Sequence, residues 1–324
     1  MDGTFVRGRL VAPQVLRGLM QRSDLAGAVQ AGSHFGALAL SGALLWSLWG
    51  TWWAVPIFLV HGVLLNFLYA GQHELSHGTP FKTKWINAWL GRLIGFLMLY
   101  PRDFDLIQHT AHHKWTQNWE KDGELAREPY TLTSYLLWFW GPTYWWSRVA
   151  RLYRLASGRV IEPYVRADQE GQLIREARIH VALYAAIAGI SVVTQSWAAV
   201  ILWLAPMLAM KWVHQMQNTI EHLGLSHGDN ILENTRSTRT NAVMRWLGWN
   251  MQYHTAHHAF PSVPFHRLRE LNREMTEGAG TPPHAMGYLA FQVEIVRKLI
   301  AGNEDDYPHD EVWITPEGGR VPLD

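Results

Sequence analysis

Residues 25–73 read LAGAVQAGSHFGALALSGALLWSLWGTWWAVPIFLVHGVLLNFLYAGQH, without a single Asp, Glu, Lys or Arg. At about 20 residues per membrane helix, the run is long enough to cross a bilayer twice. The spacing predicts one helix at about Phe35–Thr51 and a second at about Val55–Gln72. Gly50-Thr51-Trp52-Trp53-Ala54 forms the turn, since tryptophan anchors a helix end at the interface. A second uncharged run, Ile179 to Met210, predicts another hairpin. Its helices fall at about Arg178–Val193 and Trp197–Val213, with Thr194-Gln195-Ser196 as the turn.

Charge then orients the chain. Neither outer turn carries Lys or Arg, whereas the N-terminal arm, the segment from Glu74 to Arg178 and the tail after Lys211 hold them all. The positive-inside rule places those three parts in the cytosol. The N-terminal stretch to Gln30, with Arg7, Arg9, Arg17 and Arg22, reads as a cytosolic or interfacial lead-in. The expected architecture is all-α and integral to the membrane, with four transmembrane helices in two hairpins and a cytosolic helical cap. One domain covers residues 1–324: a first hairpin at about 35–72, a cytosolic segment at 73–177, a second hairpin at about 178–213, and a cytosolic segment at 214–324. Trp85–Tyr100 and Tyr135–Trp146 are apolar but short, and read as interfacial or re-entrant.

Composition narrows the chemistry. The 324 residues include no cysteine and 17 histidines, and the formal net charge is +1. Disulfides, thiolate metal sites and cysteine nucleophiles are excluded. No block of like charge points to nucleic acid.

The histidines are not scattered. His73-Glu74-Leu75-Ser76-His77 stands where the second helix should leave the membrane. His109-Thr110-Ala111-His112-His113 recurs unchanged as His254-Thr255-Ala256-His257-His258. Asn218-Thr219-Ile220-Glu221-His222 follows the second hairpin. The spacings i, i+3 and i+4 put each cluster on one helix face. Two hairpins that return to the same side bring the faces together. Nine imidazoles (His73, His77, His109, His112, His113, His222, His254, His257 and His258) with Asn218 are too many for one ion, which takes three to five protein ligands when positions stay open. They imply two metals, and imidazole alone does not choose among iron, zinc, copper and nickel. Glu74, Asp122 and Glu221 are candidates to orient the rings from behind. His61, inside the second span, either lines a tunnel or bonds a neighbouring helix. His214 shares a face with Asn218.

Two rival readings accompany this one. His73–His77 matches H-E-x-x-H, in which Glu74 would be the general base of an intramembrane zinc protease. That leaves seven clustered histidines unexplained. A metal carrier needs a polar path across the membrane, for which the uncharged runs offer only His34, His61 and His180.

The order and spacing of the clusters resemble the membrane fatty-acid desaturase and hydroxylase family. Its H-x3–4-H, H-x2–3-H-H and final H-x2–3-H-H boxes stand here as His73–His77, His109–His113 and His254–His258. Asn218–His222 matches the additional N-x-x-x-H element. The run from Asn250 to Phe265 looks like bacterial acyl-lipid and rhizobitoxine-type desaturases, and Asn218 to Leu223 like alkane hydroxylases. The resemblance implies a non-haem pair of iron ions, with O2 as co-substrate, acting on an acyl or small amphipathic substrate. Desaturation is the leading reaction and hydroxylation the alternative. With no cysteine, no His-Pro-Gly-Gly haem signature and no dinucleotide fingerprint, the electron donor is expected to be separate: a ferredoxin, rubredoxin or cytochrome b5. Arg148, Arg151 and Arg154 either dock it or face lipid headgroups.

Overall fold

The computed structural model describes residues 10–118, 120–125, 130–225, 227–228, 230–279 and 286–302. The acidic run at 304–306, His284 and His309 lie outside these. Among the described residues there are helices and no strands. The helices are α1 (Pro13–Leu19), α2 (Asp24–Leu48), α3 (Ala54–His77), α4 (Lys84–Leu97), α5 (Arg102–Trp115), α6 (Leu132–Phe139), α7 (Pro142–Ala156), α8 (Ala167–Val193), α9 (Ala205–Ala209), α10 (Lys211–His222), α11 (Ile231–Asn234), α12 (Ala242–Leu247), α13 (His254–Ala259), α14 (Leu268–Ala279) and α15 (Tyr288–Ile300).

Among the described residues, three helices are long and apolar enough to cross a membrane: α2, α3 and α8. Two start well before the expected positions. The first was expected from Phe35 but starts at Asp24, where Ser23 caps it by accepting the amide of Ala26 at 3.2 Å. The third was expected from Arg178 but starts at Ala167, because a charged helical stretch continues straight into the apolar run. Charge boundaries mark where lipid begins, not where a helix begins.

The segment expected as a fourth span is not one regular helix. It runs through a π turn at Val200–Leu204, then α9, a break at Met210, and α10. Pro206 sits at the start of α9, where its missing N–H costs least. The irregular backbone is covered by α3. Gly62 lies so close to the Pro206 carbonyl that a methyl group there would come within 2.3 Å of it. Asn66 Nδ2 donates to Met207 O at 2.9 Å. His61 is held by Ser41 Oγ through Nδ1 at 2.7 Å and by Leu202 O through Nε2 at 2.8 Å. Of the two roles open to it, His61 therefore has the interhelical one. In lipid, such partners are what makes a polar group or an irregular turn tolerable.

α3 is the axis of the fold. Of its apolar window, 61% is buried, against 22% for α2 and 17% for α8. It packs against α2, α4, α5, α9 and α10. Gly78, at φ 65°, ends it in the left-handed conformation directly after His77.

Candidate metal centre

Four helices deliver the histidines. α3 brings His73 and His77 on its last turns. α5 brings His109, His112 and His113, and its start is fixed from a distance: the Glu176 carboxylate of α8 accepts the amides of Arg102 at 3.1 Å and Asp103 at 2.8 Å. Those are two of the four N–H groups that a helix start leaves unpaired. α10 brings His222. α13 brings His254, His257 and His258, after a turn in which Trp249 (φ 48°) and Asn250 (φ 62°) both adopt the left-handed region. Adjacent residues other than glycine in that region are costly and persist only where packing enforces them. Trp249 is fully buried against Gly71, and Asn250 Nδ2 donates to Phe265 O at 3.1 Å.

The nine rings form two adjoining groups. His73, His77, His109, His113 and His257 bring ligand nitrogens within 4.8 Å of one another, and so do His112, His222 and His258. His254 joins the second group, its Nε2 lying 2.7 Å from that of His222. The ring centroids of His113 and His258, from different groups, are 4.1 Å apart. The repeated pentapeptide is used reciprocally. Its first copy sends His109 and His113 to the first group and His112 to the second. Its second copy sends His257 to the first group, with His254 and His258 in the second.

The nitrogens that meet are Nε2 atoms: His73 to His257 at 2.9 Å, His77 to His109 at 2.8 Å, His109 to His113 at 2.9 Å and His113 to His257 at 3.2 Å. Several Nδ1 atoms face outward to oxygen, while that of His113 has no partner among the described residues. His112 Nδ1 meets Asp122 at 2.9 Å, His257 Nδ1 meets Glu74 at 3.2 Å, and His254 Nδ1 stands 3.8 Å from Glu221. All three carboxylates singled out in the sequence thus lie behind a ring. Two partners were missed: Glu124, 3.4 Å from His109 Nδ1, and the backbone carbonyl of Asn234, 3.1 Å from His222 Nδ1. Glu124 sits two residues beyond Asp122, and that proximity was the available signal. The Asn234 carbonyl had no side-chain signature at all.

With protons held on the outer nitrogens of His109 and His222, their Nε2 lone pairs point inward. Burial, and then the neighbouring imidazoles, hold His113, His254 and His258 well below the usual histidine range. Burial, and then the charge of His112, brings His222 and His257 down to about 3. Neutral rings are the metal-binding form. Their spacing fits as well, since two cis ligands on bonds of about 2.1 Å stand about 3.0 Å apart. Lone pairs packed this way repel unless a cation lies between them, and the donor set suits a pair of ions.

His112 behaves differently. Burial pushes it down, but the carboxylates of Asp122, Glu124 and Glu221, Asp122 foremost, together outweigh burial and raise it to about 9. Asn218 is half-buried and lines a small inner cavity with His73, His112, His222 and His254, next to the second group. His214 lines the same cavity, and its Nδ1 is 2.9 Å from Lys211 Nζ. Glu74 has no room to act as a protease base. It is fully buried behind His257 and accepts the amide of Phe265 at 3.1 Å.

A model of the fatty acid desaturase family matches residues 25–290. The chain belongs to that family. Among its relatives are an sn-1 oleoyl-lipid 12-desaturase of Arthrospira platensis, 21% identical over 67% of this chain and 67% of the relative. An sn-1 acyl-lipid omega-3 desaturase (ferredoxin) of Synechocystis sp. is 24% identical over 68% of this chain and 66% of the relative. A fatty acid desaturase of Bacillus subtilis is 23% identical over 60% of each. Membership makes the chain an oxidoreductase of lipid metabolism, with candidate membrane helices and a histidine cluster fit to bind metal.

One expectation for this desaturase-family chain is overturned. Arg148 cannot dock a donor at the surface, because it is only 6% exposed. Arg154 is committed to Glu162, and Arg151 lies 3.9 Å from the same carboxylate.

Proposed function

We propose that the two histidine groups hold two iron ions, and that the chain is an O2-dependent desaturase of an acyl chain or a related lipid-like substrate. His73, His77, His109, His113 and His257 hold one ion. His112, His222, His254 and His258 hold the other, with Asn218 beside it. The observation that carries this reading is the convergence of Nε2 atoms from four helices, backed by acceptors on the outer nitrogens. The bound pair supplies the reduction of O2 and the removal of hydrogen from an unactivated carbon. In balance, two substrate hydrogens, two donor electrons and two protons take O2 to two waters.

The residues of the chain supply position. Glu74, Asp122, Glu124 and Glu221 fix the ring planes and keep the inner nitrogens free of protons. The second group has one imidazole fewer than the first and borders the inner cavity, so substrate and O2 approach on that side. The irregular segment at about Trp197–Val213 is the fourth span, since α3 satisfies its polar groups at membrane depth. Both hairpins then return to the cytoplasmic side, where the charge pattern puts the metal site. A ferredoxin-type donor supplies the electrons, in keeping with the ferredoxin in the name of the Synechocystis relative.

The test is product analysis with the iron-loaded protein, reduced ferredoxin and O2. A product lighter by two hydrogens supports desaturation. A gain of one oxygen assigns hydroxylation instead. No consumption of O2 beyond donor autoxidation overturns the reading.

A further inference from the structure

Beside the metal centre lies a second, open cavity of about 300 Å³, lined by Tyr100, Trp138, Tyr144, Ser147, Arg148 and Asn218, among others. Its inner wall of Tyr69, Glu124 and Asn218 also walls the small cavity at the second histidine group. The outer cavity therefore adjoins that group across these three side chains.

Arg148 is the unusual member. It is 6% exposed, yet its Nε and Nη1 have no hydrogen-bond partner. No carboxylate among the described residues lies within ion-pair distance of it. Its guanidinium stands 3.4 Å from the ring centroid of Tyr100, 4.3 Å from that of Tyr144 and 5.4 Å from that of Tyr69. Stacking occupies the faces of a guanidinium and leaves the in-plane N–H edge free. A buried cation with unused donors is costly unless an anion completes it. The buried Tyr144 hydroxyl is also without a partner. The carboxylate sharing this wall is engaged elsewhere: Glu124 accepts from Tyr69 at 3.2 Å and faces His109 at 3.4 Å.

We propose that this cavity is the head-group subsite of the substrate, that Arg148 binds a single anionic group there by its free edge, and that the substrate is a short amphipathic carboxylate. The proposal rests on the reading of the histidine groups as the reaction centre, and it gives that centre a substrate class. Glu124 nearby disfavours a dianion. The volume holds roughly ten water-sized groups, enough for a carboxylate and a few carbons. The carbon attacked then lies near the acid end of the molecule.

The experiment is calorimetric titration of the iron-loaded protein in neutral detergent with hexanoate, and with hexanol as its uncharged counterpart. Hexanoate should bind and hexanol should bind at least about 10-fold more weakly, the scale of a lost charged hydrogen bond. R148Q should lose hexanoate binding while keeping its iron. R148K, with the charge but not the fork, should recover it only in part. S147W, which fills the cavity mouth and leaves Arg148 in place, should also lose it, so the outcome does not depend on R148Q folding. Equal binding of acid and alcohol, or unchanged binding in both R148Q and S147W, overturns the proposal. So does binding of phosphatidylglycerol with no binding of hexanoate, which assigns the site to a lipid head group. Iron content is measured on the same samples: hexanoate binding without iron refutes the metal centre, and iron without hexanoate binding refutes the subsite.

Discussion

Glu74 Oε1 lies 3.2 Å from Nδ1 of His257, and neither side chain reaches solvent. The other oxygen of Glu74 accepts the amide of Phe265 at 3.1 Å and faces the Thr79 hydroxyl at 3.4 Å. One carboxylate thus ties α3 to the ring that α13 places in the first group, and to the chain just beyond α13. Glu74→Gln removes the charge that faces His257 Nδ1 and can turn an amide NH2 toward that ring. Metal affinity is expected to fall about 10–100-fold, the usual effect of losing a partner behind a ligand. Competition with a chelator measures it. Unchanged iron retention in E74Q would show that the carboxylate plays no part in holding the site.

His112 gives the centre a pH signature. Its apo-state value of about 9 lies above the ordinary 6.5, so the pair with Asp122 stabilises the metal-free fold fully below about pH 6.5. That contribution is lost as pH rises through about 9. Metal binding needs the neutral ring, so affinity should rise across the same window. Loading the apo protein near pH 7.5 should release about one proton per chain, because the other rings are neutral beforehand. Asp122→Asn should abolish most of that release. A pH indicator in weak buffer reads both.

How much of this was legible in sequence differs by residue. The clusters and their shared faces were, because helical spacing alone puts His109, His112 and His113 on one side. Glu74, Asp122 and Glu221 were legible only as candidates, since a carboxylate beside a ligand cluster could equally pair with Arg or Lys at the membrane surface. The division into two groups was not. The two copies of the pentapeptide are identical, and only the approach of α13 against α5 decides that His112 parts from its neighbours while His257 parts from His254 and His258. Arg148 was misread for a similar reason: α7 looks like a basic surface helix until Tyr100 and Tyr69 are folded over it. The irregular backbone of the segment expected as a fourth span was not legible, because the partners that hold it, His61 and Asn66 on α3, are at long range in sequence.

Gly71 tests how the strained turn before α13 is held. A methyl group there would meet the Trp249 ring at 2.9 Å and 3.1 Å, with Ile94 at 3.4 Å. Gly71→Ala is expected to cost about 1–3 kcal/mol, the range for overpacking a well-packed core. Because Trp249 leads directly into the box at 254–258, iron content should drop as well. Thermal unfolding followed by tryptophan fluorescence, with metal analysis, checks both.

His61 should separate fold from function. His61→Leu removes bonds to Ser41 and to the π turn, at a cost of about 1–2 kcal/mol for polar contacts between membrane helices. Iron content and the site should stay intact, since the ring is bonded on both nitrogens far from the clusters. Detergent or thermal denaturation with metal analysis tests this. Loss of iron without loss of stability would contradict the interhelical role.

The most direct measurement is the metal content of the purified protein beside that of two variants, His77→Ala in the first group and His258→Ala in the second. Wild type should hold about two irons per chain. Each variant should retain no more than about one and lose turnover while remaining in the membrane. A single stoichiometric zinc in wild type, or two irons undiminished in both variants, would contradict a centre built from these nine rings.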